Sequence, residues 1–297
     1  MGKIFDALQK VENERFTDQE ETVLTQTNSD SVLDSKLVTF FQPSSIVAEQ
    51  FRRLRTHVLR SDNGNFPKTI LVTSAVSGEG KSFVAANLAI TIATEFNHHA
   101  LLVDCDLRNP TLSGMFGLRN TMGLSDYLKG EADIADLFMK TSIEKLSVIS
   151  SGRIQENPAE MIGSTKMENL VKDLGSRYSD RYIIFDSSPV LATTEPSVLN
   201  KMVDGIVVVV KAGETPRDSV SRAIKHLKGN KILGFVLNNL SFRSEALYSK
   251  YFGTKHYYYN YGAKPEEPKG FLQKASHLLN NVKESGIFGK KNKNKMD

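Results

Sequence analysis

TILVTSAVSGEGKS, residues 69–82, runs a short apolar segment straight into a glycine-bearing turn, and a helical pattern continues from it to about residue 96. Strand, turn, Gly-Lys-Ser and helix in that order make the P-loop arrangement, with Ala75 where the first glycine usually stands. Gly78 and Gly80 let the backbone turn tightly, so that the loop from Ala75 through Val76, Ser77, Gly78, Glu79, Gly80, Lys81 and Ser82 to Phe83 wraps a nucleotide's phosphates with its N–H groups. Lys81 reaches the β- and γ-phosphates as a point charge. Ser82 offers a hydroxyl to Mg²⁺, and the helix N-terminus adds its partial positive charge.

Outward from this loop the chain alternates short apolar runs with helical stretches. The strand candidates are 69–74, 100–106, 146–150, 182–188, 205–211 and 231–238, rich in Val and Ile and apolar on both faces, as buried parallel strands are. Helical patterns occupy about 81–96, 165–178, 195–202 and 215–228. Thr165 with Glu168 predicts a capping box, and Thr215–Pro216 predicts an N-cap followed by proline at the first helical position. Upstream, residues 44–61 read as a helix with Ile46, Val47, Phe51, Leu54 and Val58 turned inward. The expected fold is a doubly wound, mostly parallel α/β domain over 44–242 with flexible arms at both ends.

Three carboxylates are expected at the C-terminal edge of the sheet. Asp104 and Asp106 stand two apart at the end of the second strand, and alternation sends both towards the phosphate loop. Such a pair needs a metal or a proton. One would help hold Mg²⁺ and the other accept a hydroxyl proton from an acceptor substrate. Asp186 ends the fourth apolar strand run of 182–188 as a Walker B carboxylate that orients Mg²⁺ or its waters. Asn238, closing the last strand, either contacts the base or forms a turn.

The arms differ from the body. Residues 3–14 place Ile4, Phe5, Leu8 and Val11 on one helical face, and the polar stretch 15–43 reads as a linker. Six of the nine tyrosines, Tyr248, Tyr251, Tyr257, Tyr258, Tyr259 and Tyr261, crowd the tail 243–262. A sticky aromatic tail is one reading. Beside a phosphate site, a set of phosphorylation targets is the better one, each phosphate adding ~1.5–2 negative charges. From Lys264 onward eight lysines face four acids, which equals the whole net charge of +4. The body is therefore near neutral, which argues against nucleic acid as a partner. The extension 263–297 adds Phe271, Leu278, Leu279 and Val282 near one helical face before KKNKNK, a pattern suited to an anionic membrane or to solvent. The longest apolar run, Ile206 to Val210, falls far below the ~18 residues that span a bilayer. A single cysteine, Cys105, fits a reducing cytoplasm.

The P-loop AVSGEGKS, the element LLVDCDLRNP, the element IIFDSSPV, an upstream E-x-x-R-x-x-R pattern at Glu49, Arg52 and Arg55, and the tyrosine cluster together resemble the bacterial tyrosine kinases of capsule and exopolysaccharide loci. The resemblance covers roughly residues 45–261. It implies a P-loop sheet related to the MinD/ParA ATPases, ATP and Mg²⁺ as cofactors, and Asp104 as the tyrosine's base with Asp106 in the metal network. It further implies a ring of subunits joined through Glu49, Arg52 and Arg55, each phosphorylating a neighbour's tail. A separate membrane-spanning activator would recruit such a kinase to the inner face of the cell membrane. Ser188 stands where many of these kinases have proline, which predicts a local loop change with metal binding kept. The rival readings are a MinD/ParA-type nucleotide switch, whose signature lysine is replaced here by Val76, and a non-catalytic nucleotide-binding scaffold.

Overall fold

The computed structural model of the chain describes residues 33–60, 66–118, 122–227 and 232–240. The expected helix at 3–14, the tyrosine cluster and the basic extension lie outside the described residues.

Seven strands form one sheet: β1 (Thr69–Ser74), β2 (His99–Asp104), β3 (Met139–Lys140), β4 (Leu146–Ile149), β5 (Arg181–Asp186), β6 (Gly205–Lys211) and β7 (Ile232–Asn238). Their order is β3-β4-β2-β5-β1-β6-β7, and only the β3–β4 pair is antiparallel. The six apolar runs all became strands. The short edge strand β3 carries too few residues to show a period.

Among the described residues the α-helices are α1 (Val38–Phe41), α2 (Ile46–Val58), α3 (Lys81–Ala93), α4 (Leu112–Met115), α5 (Leu124–Lys129), α6 (Pro158–Ile162), α7 (Thr165–Arg177), α8 (Glu195–Leu199) and α9 (Arg217–His226). Strand alternation divides the core between the two faces of the sheet. Leu71, Leu101, Val103, Phe185, Ile206 and Val208 pack with Met167, Leu170 and Leu174 of α7 and Ala223 of α9. Ile70, Val72, Leu102, Ile184, Val207 and Val209 pack with α3 and with Phe51 and Val58 of α2. Helix α3 is buried from Val84 through Ala93, because the sheet covers one side of it and α1 and α2 cover the other.

That second layer explains a difference from the sequence reading. The packed domain takes in residues 33–43, ahead of the Ser44 boundary, because a buried asparagine on α3 holds them. Asn87 Oδ1 accepts from Thr39 N at 3.0 Å and from Thr39 Oγ1 at 2.9 Å, while its amide donates to Lys36 O at 3.0 Å and to Phe83 O at 2.9 Å. Leu37 is fully buried beside it. The stretch carries Leu33, Leu37, Val38, Phe40 and Phe41, but only Leu37 among them is fully buried and the helix is four residues long, too short to show a period.

Other boundaries also moved. Ser164, not Thr165, caps α7, its hydroxyl accepting from Met167 N at 3.2 Å. Helix α9 starts at Arg217 with no side-chain cap, because the Thr215 hydroxyl is engaged elsewhere, as described below. Ile46 and Val47 are 47% and 46% exposed, so on α2 the inward face is Ala48, Phe51 and Val58, with Leu54 partly buried against the same core as expected.

Candidate active site

The phosphate loop leaves the end of β1 and closes on α3. Gly78 and Gly80 have φ of +80° and +88°, the left-handed region where a side chain is strained. At Gly80 a Cβ would also fall 2.2 Å from Asn238 Nδ2. Backbone conformation therefore favours glycine there, and a side chain would also have to displace the Asn238 amide. The loop after β5 braces the other side, with Val190 N donating to Ser74 O at 2.8 Å and Leu191 N to Ala75 O at 3.1 Å.

Parallel register brings the carboxylates together beside this loop. Asp186 lies opposite Val72 on β1 and opposite Asp104 on β2. Strand β2 ends at Asp104, so it is the following loop, not strand alternation, that positions Asp106. Asp106 Oδ2 pairs with Lys81 Nζ at 2.9 Å, and its Oδ1 accepts from Asn109 N at 3.1 Å. Asp104 accepts from the amides of Asp106, Thr111 and Leu112, each at 3.2 Å. Neither oxygen of the fully buried Asp186 has a hydrogen-bond partner.

The electrostatics follow from that burial. Asp104 is pushed up to about 8, first by burial and then by the charge of Asp186. Burial likewise pushes Asp186 up to about 6, with Lys81 and the Ser82 hydroxyl pulling the other way. Burial would lower the Lys81 pKa, but Asp186, Asp106 and Asp104 outweigh it and the ammonium is held above its usual range. In this state Lys81 is the counter-ion of the acidic group, and an arriving phosphate would compete for it.

The other expected residues fall in several places. Asn238 lies at the loop, where its amide donates to Glu79 O at 2.8 Å. The Glu79 side chain is buried, its carboxylate accepting from Val76 N at 2.8 Å and from Lys211 N at 3.1 Å. On α2, Arg52 pairs with Glu49 at 2.7 Å within the helix, on an accessible surface. Arg55 is more committed, bonding Thr91 O at 2.9 Å and lying 3.5 Å from Glu95. Ser188, in the loop expected to change, meets the Thr193 hydroxyl at 2.5 Å. Sequence reasoning missed Glu195, which is buried and accepts from Arg108 Nε at 3.0 Å, fixing the loop after Asp106 to α8. Only its partner carried a signal, as the arginine of LRNP.

Known proteins align with this geometry. A family model described as ParA, the NUBPL iron-transfer P-loop NTPase, matches residues 65–260. The tyrosine-protein kinase YwqD of Bacillus subtilis (strain 168) is 33% identical over 230 residues, covering 77% of this chain and 95% of that protein. The kinase domain of the Escherichia coli tyrosine kinase ETK superposes with a TM-score of 0.67 at 26% identity, over 77% of this chain and 88% of that one. The chimerical protein CapA2B2 gives a TM-score of 0.65 at 34% identity, over 70% and 91% of the two chains. Among the described residues no helix is long and apolar enough to cross a membrane.

Proposed function

The chain belongs to the bacterial tyrosine-protein kinases built on the ParA-like P-loop NTPase fold, and from that premise we propose how it acts and on what. The nucleotide is ATP with Mg²⁺, and the acceptor is the tyrosine cluster at 248–261 of a neighbouring copy. One observation carries the cofactor reading. Two buried carboxylate oxygens on Asp186 without partners, at the mouth of a phosphate loop, form a site that only a cation or a proton settles. Mg²⁺ keeps several waters and takes its remaining ligands from phosphate and one or two protein groups, so a small protein site of this kind suits it. Ser82, Asp106 and Asp186 would hold it, and when bound it neutralises charge on the phosphates.

The chain's own residues do the rest. The loop amides hold the phosphates, and Lys81 leaves Asp106 for the transferring group, which frees Asp106 for the metal network. Asp104, in its ionised form, takes the tyrosine proton as the tyrosine oxygen bonds to the γ-phosphorus of ATP and the bond from that phosphorus to ADP breaks, ADP being the leaving group. Glu49, Arg52 and Arg55 join copies into a ring. For Arg55 that means extending contacts it already makes to α3 and to Glu95. We further infer a cytoplasmic protein, recruited to the inner face of the membrane by a membrane-spanning activator, with the basic extension touching anionic lipid. Its kinase activity regulates the synthesis, chain length or export of an exopolysaccharide or capsule.

The tail is tested directly. Changing the six tyrosines between 248 and 261 to Phe removes nearly all autophosphorylation, measured as phosphotyrosine after incubation with ATP, while binding of a fluorescent ATP analogue is kept. Label that persists on Tyr127, Tyr178 or Tyr182 in that variant would overturn the assignment.

A further inference from the structure

An acid in the middle of an anion-binding loop is unexpected, because its charge opposes the ligand's. Glu79 is 1% exposed, and its carboxylate meets donors on every side. Oε2 accepts from Val76 N at 2.8 Å, within the same loop. Oε1 accepts from Lys211 N at 3.1 Å and from the Thr215 hydroxyl. Lys211 ends β6, and Thr215 lies just before α9. The Thr215 hydroxyl in turn accepts from Lys211 N at 3.2 Å, which explains why it does not cap the helix.

The circuit closes through β7. Ala212 N donates to Asn238 O at 2.8 Å, and Asn238 Nδ2 donates back to Glu79 O at 2.8 Å. The ends of β1, β6 and β7 are thereby tied to one residue, by its side chain on one side and its carbonyl on the other. We propose that Glu79 is a positioning residue, whose carboxylate clasps the phosphate loop to the β6–α9 connection and sets the loop's shape before nucleotide arrives. Turning the acid inward removes its charge from the ligand's path. It also occupies the Val76 amide, so the cradle is formed by the N–H groups that follow. This inference rests on the nucleotide-binding reading of the loop and deepens it.

The test is titration of the full chain with mant-ADP and Mg²⁺, together with ATP kinetics of autophosphorylation. Glu79→Gln places an amide donor against donor groups, so binding should weaken about tenfold or more. Thr215→Val should weaken it by about fivefold, while Thr215→Ser, which keeps the hydroxyl, should stay within about twofold of the unaltered chain. The double variant Glu79→Gln/Thr215→Val should bind about as weakly as Glu79→Gln alone, because the two changes break one shared bond. KM for ATP should rise in step with the loss of affinity, and Thr215→Val, whose side chain lies outside the phosphate loop, should keep kcat at saturating ATP within about threefold, since the clasp does not touch the transferring group. Unchanged affinity in Glu79→Gln overturns the proposal, as does a loss of kcat with KM unchanged. If Glu79→Gln does not fold, the Thr215 pair decides alone, and equal weakening by Val and Ser rejects the clasp. Failure of the unaltered chain to bind mant-ADP would sink the nucleotide reading itself, and the clasp with it.

Discussion

Lys81→Met abolishes tyrosine phosphorylation, with a loss of about 10³-fold or more, because it removes a charged contact that strengthens as the phosphoryl group transfers. The structure adds a second consequence. From the motif alone, a lysine aimed at phosphates should be dispensable to the folded protein without nucleotide. Here it is 2.9 Å from Asp106, with both side chains mostly buried, and it is the cation that faces Asp104, Asp106 and Asp186 together. Breaking a buried pair by removing one partner costs ~3 kcal/mol or more. For a domain of this size that lowers Tm by roughly 10 °C. Differential scanning fluorimetry without nucleotide measures it, and an unchanged Tm would mean the pair does not form in solution.

Asp186→Asn moves stability the other way while also ending catalysis. The carboxylate is buried without hydrogen bonds and its pKa is pushed up to about 6, so the folded state holds its proton more tightly than the unfolded chain does. The sign follows by linkage. This contribution is harmless below the unfolded pKa, about 4 for Asp; its cost builds as pH rises from there through 6 and is constant above that. Asp104, pushed up to about 8, extends the decline to higher pH. In EDTA the unaltered protein should therefore lose stability from pH 5 to pH 8. Asp186→Asn should flatten that fall and raise Tm at pH 7.5 by several degrees, about 3 kcal/mol being the order of the relief. A lower Tm in the variant would show that Asp186 is structural and not poised for a cation.

Much of this was legible in the sequence, for definite reasons. Buried parallel strands are continuous runs of Val and Ile, so β1, β2, β5 and β6 could be read within about two residues. The phosphate loop is local in the chain, and its glycines sit where positive φ is needed. The boundaries that moved were set by contacts distant in sequence. Asn87 draws in residues 36–39, and Thr215 is claimed by Glu79 from the end of the neighbouring strand. The same holds at the site. Asp104, Asp106 and Asp186 could be nominated from strand ends, but the partnerless state of Asp186 and the pairing of Lys81 with Asp106 depend on strand order. The inward turn of Glu79 had no signal at all, since a glutamate between two glycines reads as exposed loop.

The central claim is that the P-loop transfers phosphate to the tyrosine tail of another copy. Mixing resolves it most directly. Lys81→Met chains, tyrosines intact, are combined with kinase whose six tail tyrosines are changed to Phe, in labelled ATP with Mg²⁺, and the chains are separated by a tag. Neither chain alone should label. Together, phosphotyrosine should appear only on the Lys81→Met chain, within residues 248–261. Absence of label in the mixture, or label on the six-Phe chain, would contradict transfer between subunits to this tail.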